Sequence, residues 1–168
     1  MPTVIIRPEA IGSDSGFDQT GTNLLSRIND NDTNTFITNI SSANFDVLIE
    51  NSSAYSGATI NNVTVSVIGN TINEKVSSAS LVVELRDASS LLQSSTLNFT
   101  PTESTQSGAA YSTSLTPSVV DSFTVNGAVQ TVGLIIKEVF ITVDYGASSG
   151  KIILPSGKIH LIKGKITL

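Results

Sequence analysis

The stretch "NDNDTNT" (29–35) places Asp30, Asp32 and Asn34 at alternate positions. Carboxylate and amide oxygens at that spacing can converge on a hard cation such as calcium. An EF-hand loop is excluded: its sixth position falls on Thr35, where the turn needs glycine, and its twelfth on Ser41 instead of a bidentate glutamate. Two readings remain. One is a weak, looser metal site; the other is a solvated turn ahead of "TFITN", with Asx side chains satisfying nearby backbone groups. The turn is favoured, and no cofactor is expected.

Nucleophilic chemistry has less to work with. The chain has no cysteine and no G-x-S-x-G elbow, and its one histidine, His160, alternates with Ile159 and Leu161 near the C-terminus. No glycine-rich phosphate loop is present. Any two acids could meet as a glycosidase pair, yet sugar-cleaving sites usually carry aromatic platforms, and this chain has no Trp and three Tyr. The same shortage weighs against carbohydrate binding. No catalytic residues are assigned, and a hydrolase is a remote third reading.

The elements that would position any site are strands. Val, Ile and Leu dominate the apolar residues, and β-branched side chains suit a pleated sheet. "ANFDVLIE" puts Phe45, Val47 and Ile49 on one face; "NNVTVSVIG" does so with Val63, Val65 and Val67. "SLVVELRD" groups Leu81, Val83 and Leu85 and leaves Glu84 and Arg86 outside, while "KEVFITVDY" groups Val139, Ile141, Val143 and Tyr145. Period two of this kind marks half-buried strands. "DQTGTNLLSRIND" offers one or two helical turns around Leu24, Leu25 and Ile28, against the bias of Gly21 and its threonines. "PTESTQSGAAYSTSLTPS" reads as a long polar loop with at most a short strand at 109–114. The expected fold is all-β: an antiparallel β-sandwich, of jelly-roll type, followed by a short strand-forming tail.

Ser, Thr and Asn (25, 19 and 13) make up about a third of the 168 residues, and charged residues only 14%. Such a low-charge, hydroxyl-rich surface is common in extracellular or virion β-proteins and unlike that of a cytoplasmic helical enzyme. No apolar run is long enough for a membrane helix, and no signal peptide is visible, so a soluble protein without a membrane partner is expected. Five N-x-[ST] matches, at Asn31, Asn39, Asn51, Asn62 and Asn98, are what so Asn- and Ser-rich a chain yields by chance. Residues 1–150 carry a balance of −9, which argues against nucleic-acid binding, and residues 151–168 carry +4.

Three segments in order, "LLSRINDNDTNTFI" (24–37), "SLVVELRDASSLLQSS" (80–95) and "GLIIKEVFITVDY" (133–145), together resemble a β-sandwich domain widespread in tailed-bacteriophage virion proteins. Phe17, in "SGFDQTG", stands where that domain commonly has Trp. The resemblance implies a non-enzymatic structural module, most simply a capsid decoration (cement) protein on the capsid surface. Its implied partners are further copies of itself, with a trimer favoured, and the major capsid protein or other virion proteins. The alternative is a receptor- or glycan-binding module of a tail fibre or surface appendage.

The organisation expected is a sandwich over 1–146, with 1–19 as a possible N-terminal arm, and a tail over 147–168. The tail repeats Gly-Lys-Ile at a spacing of seven. Ile152 and Leu154, Ile159 and Leu161, and Ile166 and Leu168 share faces, with Lys158 and Lys165 opposite. A ribbon of this kind is unstable alone and must be covered. The cover is either its own domain or, the favoured reading, another chain, which makes these eight residues the expected assembly contact.

Overall fold

A computed structural model describes residues 1–18, 25–29, 36–72, 75–113 and 115–146. Nine strands dominate: β1 (Thr3–Ile6), β2 (Pro8–Asp18), β3 (Ile37–Ile49), β4 (Ile60–Thr71), β5 (Ala79–Asp87), β6 (Ser90–Phe99), β7 (Ser104–Ser107), β8 (Phe123–Val129) and β9 (Leu134–Tyr145). Two single-turn helices, α1 (Leu25–Ile28) and α2 (Pro117–Val120), and a 3-10 turn over Ser53–Tyr55 complete the described elements. Every strand pairing is antiparallel.

Hydrogen bonding runs β6-β5-β8-β3-β9-β4-β7, with β2 on the other edge of β3 and β1 on β9. The path folds into two layers, β6-β5-β8-β3-β2 and β7-β4-β9-β1. Their seam is narrow: β3 touches β9 through Ile37↔Ile136 and Thr38↔Ile135, and then continues against β8. The N-terminal stretch considered as an arm is woven into both layers, β1 along β9 and β2 along β3.

The apolar faces read from period two meet in one core. Phe45, Val47, Ile49, Val63, Val65, Val67, Leu81, Val83, Leu85, Val139, Ile141 and Val143 are all buried. Phe17 joins them, its ring 6.2 Å from that of Phe45. The Phe45 ring in turn lies over Gly127 of β8, where a Cβ would sit 2.2 Å from ring carbons. An open α-carbon there gives the ring its place.

Two details differ from the sequence reading. The polar stretch after Pro101 contains a strand, β7, which pairs with β4 over 66–69, and Tyr111 bridges to Val63. The expected loop allowed a short strand only at 109–114, and the strand falls earlier because Ser and Thr give no apolar alternation, although their backbones pair normally. In β9 the inward set switches from Leu134 and Ile136 to Val139, Ile141 and Val143, because the register against β4 skips Lys137. One extra residue of this kind is a β-bulge, and it reverses which side chains face the core.

Candidate functional site

Five strands of the first layer turn matching outward positions to the same face. The register runs Ser13↔Asp46 from β2 to β3, Asp46↔Asn126 from β3 to β8, Asn126↔Glu84 from β8 to β5, and Glu84↔Ser94 from β5 to β6. The next row is Ser15, Asn44, Ala128, Val82 and Thr96 by the same pairings. Side chains directly across a sheet stand side by side. Small residues at the centre of the second row leave depth, and a groove of about 260 Å³ lies over Ser13, Asn44, Asp46, Val82, Glu84, Asn126 and Ala128.

The groove is rich in acceptors. Asp46 Oδ1 and Asn126 Oδ1 are both enclosed, and no protein group donates to either. Asp46 leans over Gly12, where a Cβ would fall 2.8 Å from Oδ2, so the open α-carbon in β2 makes room for the carboxylate. Glu84 is held by Arg86, whose Nη2 and Nε donate to Oε2 at 2.6 and 2.9 Å. Both bonds fall on one oxygen, and Arg86 leaves the other unengaged. Buried acceptors without donors are rare in folded proteins, because each forfeits the hydrogen bonds it made in water.

A second pocket, of about 270 Å³, opens among Asn51, Ser52, Ser53, Ser56, Pro117 and Asp121, at the chain between β3 and β4. Here Tyr55 is fully buried, and its phenol donates to Asp121 Oδ1 at 2.5 Å. Burial first, and then the Asp121 carboxylate, push the Tyr55 phenol well above its ordinary pKa. The tyrosine ring packs edge-on to Tyr145, centroids 6.4 Å apart. Asp121 follows α2, which Thr116 caps by accepting from the Val119 amide at 3.3 Å. This cluster ties the β3–β4 connection to α2.

Asp30, Asp32 and Asn34 lie outside the described residues, and so do the tail positions Ile152, Leu154, Lys158, Ile159, Leu161, Lys165, Ile166 and Leu168. Among the described residues, no three or more His, Cys, Asp or Glu side chains gather as a metal site. The groove residues were not singled out from the sequence. Alternation does place Asp46 and Glu84 outward, but which outward residues become neighbours depends on the register of four strands.

No protein-family model matches the sequence, and no curated protein matches it. Among solved structures, the chain is similar to the C-terminal CBM6 of LamC, a marine laminarinase from Zobellia galactanivorans. That match has a TM-score of 0.51 at 11% identity and covers 84% of this chain and 98% of that one. It is also similar to a carbohydrate binding module, CBM6cm-2, from Cellvibrio mixtus lichenase 5A, solved in complex with cellotriose. Here the TM-score is 0.45 at 12% identity, over 84% of this chain and 95% of that one. The likeness to the LamC module is one of fold, and it agrees with the two-layered antiparallel sheet: the chain is an antiparallel β-sandwich.

Proposed function

We propose that the chain is a non-catalytic recognition module that holds a hydroxyl-rich ligand, a glycan chain, in the groove across β2, β3, β8 and β5. The observation that carries this reading is the adjacent pair of enclosed, unpartnered acceptors, Asp46 Oδ1 and Asn126 Oδ1. Sugar hydroxyls are donors of the size and spacing such a row can take, and an amide both donates and accepts. The fold shared with a carbohydrate-binding module supports the reading by analogy. The groove lacks a Trp or Tyr platform, so affinity rests on hydrogen bonds to a fixed surface.

Titration calorimetry with soluble oligosaccharides tests this. Asp46→Ala is expected to weaken binding roughly tenfold to a hundredfold, the value of a charged hydrogen bond. Ser53→Ala, in the other pocket, is expected to leave it unchanged. A panel of neutral and charged oligosaccharides with no binder overturns the reading.

A second reading, a virion structural protein assembled as a trimer on a capsid shell, has one observation in its favour. β6 is a ten-residue strand at the end of its layer, without a charged residue or proline. The other edges are blunted: β1 and β7 have four residues each, and β2 is broken by three register shifts. An open edge beside a sequence that repeats Lys-Ile-x-Leu suits strand addition between copies or to a shell protein. On this reading, removing residues 147–168 converts an oligomer to a monomer in light scattering. A full-length monomer that also fails to bind capsids rules it out.

A further inference from the structure

The groove carries more negative charge than neutral sugar hydroxyls require. Asp46 and Glu84 flank Asn126, two strand spacings apart, or about 10 Å between α-carbons. Only Glu84 has a counter-ion, Arg86. Among the described cations, Arg7 pairs with Glu138 and Lys137 with Glu103, both away from the row. Among the described residues, neither Arg nor Lys lines the cavity. An enclosed carboxylate oxygen without a donor or a cation is costly, and a charged donor is its strongest partner.

The two orphaned oxygens also belong to register partners, whose β-carbons stand about 5 Å apart across the strands. One atom placed between them must donate twice. A hydroxyl has a single proton to donate, and an ammonium has three. We infer that the groove selects an amine-bearing saccharide, with one protonated amine bridging Asp46 Oδ1 and Asn126 Oδ1. This rests on the glycan reading of the same groove and names the class of sugar. Asp46 is then the specificity-determining residue, since its charge distinguishes an ammonium from a hydroxyl or an acetamide.

The test compares three oligosaccharides of equal length by calorimetry, at a pH where amines are protonated. They are a β-1,4-glucosamine oligomer, its N-acetylated form, and a cello-oligosaccharide. The glucosamine oligomer is expected to bind at least tenfold tighter than the other two, with an advantage that shrinks as salt rises. Asp46→Asn, nearly isosteric, is expected to erase that advantage while the thermal midpoint holds; Asn126→Ala should weaken the amine sugar most.

Equal affinity for all three sugars overturns the amine preference and leaves a neutral-glycan groove. Binding of none overturns both readings. Calcium chloride alone, added to the protein, supplies a further arm. Saturable calcium binding lost in Asp46→Asn would assign the two oxygens to a metal ion and overturn the amine inference.

Discussion

Asn39 holds three backbone groups of the β8–β9 connection with one side chain. Its Oδ1 accepts from the Gly133 and Leu134 amides at 3.0 and 2.7 Å, and its Nδ2 donates to the Thr131 carbonyl at 3.2 Å. The residue is 1% exposed, so the sequence match for glycosylation there is sealed off in the folded protein. Truncation to alanine leaves the Leu134 amide without its partner beside a core strand. Asn39→Ala is therefore expected to cost about 2–3 kcal/mol in urea unfolding, more than a surface Asn→Ala such as at Asn98. An equal effect at both positions would show that the bridge contributes nothing.

Gly127 and Phe45 act as a pair between neighbouring strands, and their coupling can be measured. A methyl at 127 has to displace a ring already packed against Phe17. Gly127→Ala is expected to destabilise by about 3 kcal/mol. Combining it with Phe45→Val should recover part of that loss, giving a double-mutant coupling of roughly 1 kcal/mol or more. Additive effects would separate the two sites.

The same strands show what was legible in advance. Val47, Val65, Val83 and Ile141 are readable as core because apolar residues recur at every second position around each of them. The alternation of "KEVFITVDY" turns Glu138 outward. It does face away from Val139, yet it is 3% exposed, because Arg7 reaches across from the β1–β2 junction and pairs with it at 3.2 Å. No local pattern encodes a partner 131 residues away. The groove was hidden for the same reason: the alternation of Asp46, Glu84 and Asn126 is local, and their alignment is not.

For the molecule as a whole, Tyr55 sets an alkaline boundary. In the unfolded chain its phenol ionises near pH 10, and in the fold it is held neutral well above that. Below about pH 10 both states keep the proton, and the contribution to stability is complete. Above it the unfolded state binds fewer protons, so stability falls as pH rises, by up to about 1.4 kcal/mol per pH unit. Urea midpoints of the wild type should drop between about pH 10 and 11 more steeply than those of Tyr55→Phe. Parallel curves would mean that the buried phenol is not what senses alkali.

β1 pairs with β9, far apart in sequence, and the Tyr145 amide donates to the Pro2 carbonyl at 3.1 Å. Among the described strands, β9 alone joins β4 to β3, so the second layer is neither complete nor tied to the first until it arrives. On a ribosome, β2 and β3 can zip as a hairpin early, but the core has no lid until residue 145 has cleared the exit tunnel. Closure thus waits for β9, governed by long-range encounters that are slow to form. In the meantime the nascent protein shows its valine faces to every chaperone and neighbour within reach.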